Sequence, residues 1–337
     1  MDFQKVKARY ELFKNNKRGF YSLVIFLIIF SCSLCAEFIA NDVPIILHFK
    51  GKYYFPIVET VTEEQLGGDY VTQADFNDPY VIKLVEDNGW MIMPIIHYSY
   101  KSINYELPQP APSPPTHENY MGTDDEGRDV LARIIYGLRI SIIFGLMLTI
   151  ISSIIGIFMG AIQGYFGGKV DISLQRFIEV WSGLPALYIL IILSSMIIPS
   201  FWWLLGILLL FSWISLVGVV RAEFLKARNL EYVLAARAMG VQEFSIIFRH
   251  ILPNAFVASM TFIPFLLNGS ITTLTSLDFL GLGLPPGSPS LGEMLAQAKN
   301  NLHALWIGIP VFATLTLILA LLIFIGEAIR NAFDPRK

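Results

Sequence analysis

Charged residues leave this chain for long stretches and return in clusters. Uncharged apolar runs occupy residues 19–36, 140–168, 198–220, 251–277 and 304–326, and 177–197 makes a sixth that carries one charge, Glu179, near its start. Each reaches the roughly 18 residues that a helix needs to cross a bilayer. Because a backbone in lipid must satisfy its own hydrogen bonds, helices are the expected form. The pattern thus predicts an all-α polytopic membrane protein with six transmembrane helices. Pro185 in the third run and Pro264 in the fifth predict kinks.

Residues 41–118 break this pattern as an acidic insertion after the first span, with Asp and Glu interleaved among aromatics such as Tyr53, Phe76 and Trp90. The stretch G-K-Y-Y-F-P-I-V (51–58) predicts a short strand, confined to an edge by Pro56. The insertion is expected to have modest structure and to end in P-Q-P-A-P-S-P-P (108–115), an extended, semi-rigid spacer. Residues 119–139 then predict an interfacial helix feeding the second span. Thr123 or Asp124 can cap it, and Asp125 and Glu126 suit its positive end. Val130, Leu131, Ile134, Ile135 and Leu138 form its apolar stripe, with Arg128, Asp129 and Arg133 off that stripe. A calcium loop would need EF-hand spacing, which the acidic cluster lacks.

Composition agrees with a membrane protein: 54% of the 337 residues are hydrophobic and 15% charged, and the mean hydropathy is +0.57. The net charge of −3 says little, but its distribution sets an orientation. Lys5, Lys7, Arg9, Lys14, Lys17 and Arg18 place the 1–18 segment in the cytoplasm by the positive-inside rule. After a first span within 19–40 and five more within 140–326, residues 327–337, with Arg330, Arg336 and Lys337, return to the same side. The first run resembles a secretory signal in its basic start, but it is longer than such a core and lacks a small-x-small cleavage site. Cys32 and Cys35 lie three apart in it and are expected as two buried thiols.

Two patterns lie inside the spans. Gly156, Gly160 and Gly164 repeat every four residues, which lets helix backbones approach closely, within this chain or against a partner. Thr261, Asn268, Thr272 and Thr275 follow at steps of seven, four and three, setting four polar side chains on one face of the fifth span. That face lines a polar path or bonds to a neighbouring helix. Motifs for chemistry are missing: no G-x-x-x-x-G-K-[ST], no H-E-x-x-H and no G-x-S-x-G occurs. The chain offers transport architecture without catalytic residues, metal ligands, a cofactor site or nucleic-acid features. Work would have to come from another polypeptide.

The cytoplasmic segment 221–253 carries most of the remaining charge. E-Y-V-L-A-A-R-A-M-G (231–240) predicts a helix ended by Gly240, and a second helix from about Gln242 to Ile251 should stop before Pro253. A charged helix–turn–helix between two spans is a projecting handle. It resembles the coupling loop of ABC importer permeases, whose pattern is Glu-Ala-Ala, three residues, Gly, nine residues, Ile-x-Leu-Pro. Ala235, Ala236, Gly240, Leu252 and Pro253 match; Leu234 stands where the family has Glu, and His250 where it has Ile. Three further stretches resemble the C-type permeases of oligopeptide and dipeptide importers: M-G-T-D-D-E-G-R-D-V-L-A-R-I-I-Y-G-L-R-I-S (121–141), L-D-F-L-G-L-G-L-P-P-G-S-P-S-L-G-E-M-L (277–295) and A-I-R-N-A-F-D-P-R (328–336). The resemblance covers about residues 1–40 and 119–337, and the insertion, with K-G-K-Y-Y-F-P (50–56), is more like the Yej-type branch, associated with microcin C and peptide uptake.

This resemblance implies the type I ABC importer (MetI-like) permease fold and four kinds of contact. They are a second, B-type permease subunit, cytoplasmic ATP-binding subunits that grip the handle, a periplasmic solute-binding protein, and membrane lipid. Small side chains at Ala235, Ala236 and Gly240 would keep the handle low enough for a partner's cleft, with apolar packing at Leu234. A stand-alone channel or secondary transporter, a permease for dipeptide or nickel chelate, and a membrane enzyme stay open as alternatives on the residues alone.

Overall fold

In the computed structural model, which describes residues 3–197 and 199–333, α1 (Phe3–Asn15) is separated from α2 (Lys17–Leu34) by a single residue, Asn16. The Asn16 side chain accepts from the Gly19 amide, capping a helix start where amides lack partners. The D-P-R end of the terminal motif, Arg336 and Lys337 fall outside the described residues, as does Ile198 at the start of the fourth run. Cys32 on α2 and Cys35, the residue after it, are exposed, contrary to the expected burial.

After α3 (Ala36–Ile39) the insertion folds around a sheet made of β1 (Ile46–Phe49), β2 (Lys52–Tyr54) and, after α4 (Pro79–Asn88), β3 (Gly89–Ile92). The order is β2–β1–β3, both pairs antiparallel, with Leu47 opposite Tyr54 on one side and Met91 on the other. The edge strand expected near Pro56 is β2, and the proline lies past its end. Leu47, Phe49, Leu66, Phe76, Val81 and Val85 form a separate hydrophobic core. This exceeds the modest structure expected, because the apolar residues are spread over about forty positions without a helical or strand period. The proline-rich spacer is also stitched down: Ser113 and Thr123 exchange two hydrogen bonds of 2.9 Å.

The separate interfacial helix expected at 119–139 does not form. Residues 119–129 are turns, and α5 (Val130–Phe166) begins at Val130 and runs unbroken for 37 residues through the second span. Asp129, not Thr123 or Asp124, is its cap, accepting from the Ala132 amide at 2.7 Å. Nothing between 130 and 139 breaks a helix, so the stripe Val130, Ile134 and Leu138 simply joins the main core.

The remaining elements complete the bundle. α6 (Gly168–Ser182) and α7 (Ala186–Met196) meet at 64° where Pro185 interrupts the third run. α8 (Phe201–Ser212) and α9 (Ile214–Ala227) make one 27-residue span. α10 (Glu231–Ala238), α11 (Glu243–Ser245) and α12 (Leu252–Met260) lead to α13 (Ile263–Phe279), which bends by 55° from α12 with Pro264 in its first turn. α14 (Leu291–Asn300) and α15 (Leu305–Phe333) follow. Among the described residues four helices are long and apolar enough to cross a membrane, and six spans result if each bent pair is one.

The glycine repeat is a seam within this chain. A Cβ at Gly156, Gly160 or Gly164 would lie 2.6, 2.8 or 2.6 Å from the carbonyl oxygens of Trp213, Val217 and Arg221. These carbonyls lie along α9 and the residue before it, so α5 and α9 touch backbone to backbone. Gly160→Leu is therefore expected to force the pair apart and cost about 1–3 kcal/mol. Gly218→Ala, where a Cβ meets nothing within 4 Å, should be neutral. Thermal unfolding of both variants in nanodiscs checks this; equal midpoints would refute the seam.

Candidate coupling surface

The handle is seated by its apolar side. Val233 and Ala236, one helical turn apart on α10, pack with Ala161 and Tyr165 of α5, Phe224 of α9 and the returning residues Ile246, Ile247 and Ile251. Ala236 is only 3% exposed. The expected surface of Ala235, Ala236 and Gly240 thus divides: Ala235 faces outward and Ala236 inward, since residues three apart share a helix face and adjacent ones do not. What the handle presents instead is apolar and larger: Leu234, Phe248, Phe244 at 68% and Met239 at 76% exposure.

Gly240 ends α10 at φ +74°, and an added Cβ there would meet nothing within 4 Å. Glycine is needed for the left-handed conformation and not for space. The Val241 amide donates to the Ala236 carbonyl at 3.1 Å and the Gly240 amide to Arg237 at 3.0 Å, the paired bonds of a Schellman end.

The return does not stop before Pro253 as expected. α11 passes into a π-helical stretch, Ile246–Ile251, that continues directly into α12 with Pro253 in its first turn. A proline clashes with the carbonyl four residues earlier and lacks an amide; the widened π turn absorbs both. Leu252 packs partly against the handle core, and Pro253 is exposed.

Two ties missed by sequence reasoning fix the handle to the bundle. The Tyr165 hydroxyl donates to Glu243, Arg237 lies 3.6 Å from the same carboxylate, and the Arg237 guanidinium sits 5.4 Å from the Tyr165 ring centroid. At the foot of α9, Arg221 donates to both oxygens of Asp171 on α6 at 2.5 and 2.7 Å. Neither has a local signal, since the partners are 78 and 50 positions apart.

The polar face of the fifth span is only partly assembled. Thr261 sits at the α12–α13 bend and donates to Ala258, while Asn268 donates to the Leu319 carbonyl of α15 at 2.9 Å. Thr272 and Thr275, each bonded to its own helix, line a cleft of about 370 Å³ with Phe279, Leu295 and Leu315. The structure therefore brings two of the four candidates together at a cavity and uses Asn268 to join helices.

At the insertion end of α5 a second site emerges. Arg133, fully buried, reaches Asp124 at 2.6 Å and Glu293 of α14 at 3.0 Å; Arg128 reaches Asp124 at 2.8 Å. Asn119 donates to Asp129 at 2.9 Å. Burial first, against the opposing amide bonds from Ala132 and Asn119, holds the Asp129 carboxyl above its ordinary value. Burial does the same to Glu293, opposed by Arg133 and Arg128. Arg128, Asp129 and Arg133 were expected off the apolar stripe; all three are buried, the two arginines by ion pairing and Asp129 by the amides that donate to it.

Comparison with known proteins agrees with this architecture. The family model described as binding-protein-dependent transport system inner membrane component matches residues 152–337. The inner membrane ABC transporter permease protein YejE of Escherichia coli K12 is 57% identical over 331 residues, 98% of this chain and 97% of the relative. The peptidoglycan transport system permease protein YejE of Agrobacterium fabrum is 54% identical, with 98% and 93% covered. The oligopeptide transport system permease protein OppC of Lactococcus lactis subsp. lactis is 35% identical over 230 residues, 67% of this chain and 78% of the relative. A helical bundle with a projecting handle, no nucleotide motif and this similarity along nearly its whole length identifies the chain as a member of the family of inner-membrane components of binding-protein-dependent transport systems, an ABC transporter permease of the Yej type.

Proposed function

We propose that this chain is one of two permease subunits in an ATP-driven importer of oligopeptides, peptide conjugates such as microcin C included. Both termini and the handle face the cytoplasm, and the insertion faces outward. The handle carries the reading: a rigidly seated helix presents Leu234, Met239, Phe244 and Phe248 to a partner, while the chain has no phosphate-binding motif of its own. Cytoplasmic ATP-binding subunits would grip that surface, and their closure would tilt the spans around the Thr272–Thr275 cleft. A periplasmic solute-binding protein would deliver cargo to the insertion side. Nucleotide and loaded binding protein must each prefer one of two states of the bundle. The OppC relative is named for oligopeptides and the A. fabrum relative for peptidoglycan, which supports cargo built on peptides.

Uptake by cells with and without the chain tests this, across peptides, peptidoglycan fragments and a peptide–nucleotide antibiotic. Loss of peptide uptake on deletion, with an ATPase subunit retained on the purified chain in mild detergent, is the expected result. Transport preserved without any bound ATPase would make the chain a stand-alone channel or secondary transporter.

A further inference from the structure

The start of the chain carries positive charge that the bundle leaves uncompensated. Within residues 3–18, Lys5, Lys7, Arg9, Lys14, Lys17 and Arg18 stand against a single acid, Glu11. Among the described residues Arg9, Lys14, Lys17 and Arg18 enter no ion pair. The nearby end of α15 adds Glu327 and Arg330, which cancel. Lys14 and Lys17 are exposed, and the aromatic residues beside them, Tyr10 and Tyr21, are 58% and 60% exposed.

Two of the cations are placed by α15. The Arg18 guanidinium lies 3.8 Å from the Phe324 ring centroid, and that of Arg9 lies 4.9 Å from the Phe333 centroid. A cation–π contact positions the charge without consuming its N–H donors. Gly19 is pressed directly against Ala328, with no room for a Cβ, which fixes the height of α2 along α15. The apolar run of α15 ends at Gly326, so Phe324 lies at the edge of the hydrocarbon. Phe333, seven residues past Gly326, lies about 10 Å further out. The headgroup layer on each side of a bilayer is roughly 5–8 Å deep. Arg18 and Arg9 therefore bracket the depth of lipid phosphates, with Lys14 and Lys17 between them along the chain.

We infer that this patch binds the headgroup of an anionic phospholipid. The phosphate sits among Arg9, Lys14, Lys17 and Arg18, the acyl chains run along α2 and α15, and Tyr10 and Tyr21 lie at the interface, where tyrosine is enriched. Charge complementarity selects this occupant: cations just outside a span are drawn to an anionic leaflet, about fivefold for each lysine or arginine. The site goes beyond the importer reading, which assigns no headgroup class, and rests on it only for the leaflet that α1 faces.

The test uses the full chain purified in a neutral detergent and titrated with phosphatidylglycerol, phosphatidylcholine and inorganic phosphate, with bound lipid counted by native mass spectrometry. Phosphatidylglycerol should be held at least about tenfold more tightly than phosphatidylcholine, and salt should weaken it. Lys14→Gln/Lys17→Gln, at two exposed positions, should lose roughly 25-fold, two steps of about fivefold, with an unchanged melting temperature in phosphatidylcholine nanodiscs. Lys14→Arg/Lys17→Arg should bind as the parent chain does. Equal retention of the two lipids, or of phosphatidylglycerol by the parent and the glutamine variant, overturns the site. Displacement of the lipid by inorganic phosphate at similar concentrations would make the patch a general anion site and overturn it as well. So would a glutamine variant that keeps its lipid but loses a bound protein subunit. A wrong orientation in the importer reading is distinguishable: protease added outside intact spheroplasts would then cut α1, while lipid retention in detergent stayed as expected.

Discussion

Replacing Arg133 with methionine is expected to cost about 3–5 kcal/mol, the range for removing one partner of a buried ion pair. The guanidinium is completely buried, its Asp124 partner likewise, and it also donates to the Ser288 carbonyl at 3.2 Å. Methionine fills much of the space but leaves Glu293 with only Arg128, 3.8 Å away. Since Glu293 keeps partial contact with water, most of the loss should arise at Asp124, which is buried and would keep only its 2.8 Å pair with Arg128. The loop that joins α13 to α14 depends on this anchor, so proteolysis between residues 277 and 304 should accelerate along with a lower unfolding midpoint in nanodiscs. Arg133→Met/Glu293→Leu should recover part of the loss, because the carboxylate left with only the 3.8 Å pair to Arg128 is removed. A single-variant loss below about 1 kcal/mol would show that the network contributes only what surface pairs do.

Charging the outer face of the handle is expected to separate the chain from the ATP-binding subunit proposed to grip it. Met239→Asp/Phe244→Asp places two carboxylates where exposed apolar side chains would be buried by a partner, a loss of at least about 2 kcal/mol for a central contact. That is roughly a thirtyfold drop in ATPase retained on purification. The amount of chain in the membrane should be unchanged, since neither residue supports the bundle. Leu234→Glu, which restores the family's acid, should weaken the contact less. Ala236→Leu should behave differently, lowering the stability of the handle by crowding its core with Tyr165 and Phe224. Full ATPase retention by the double variant would refute an apolar grip.

The spans and the breaks at Pro185 and Pro264 were legible because lipid imposes a length and a composition on each crossing. So was the turn at Gly240, where only one residue type adopts the conformation cheaply. The direction in which Ala236 points was not, because the motif that names the handle marks small residues without saying which face is already occupied. Arg133 was placed off the apolar stripe for a related reason: its partners Asp124 and Glu293 lie 9 and 160 positions away, and pairing over such distances leaves no periodicity. The insertion's core was hidden in the same way. Of the four polar positions in the fifth span, the bend at Thr261 and the Asn268 bond to α15 depend on tertiary packing that spacing alone does not encode.

One helix carries both anchored ends of the molecule. α5 starts at the buried Arg133 network and finishes at Tyr165, bonded to the handle, so its 37 residues form a rod of roughly 55 Å. A rod held at both ends is a lever: a tilt of about 10° about one end carries the other through roughly 10 Å. Motion imposed on Glu243 and Arg237 would arrive at α14 and the insertion as displacement, without any residue between them changing conformation.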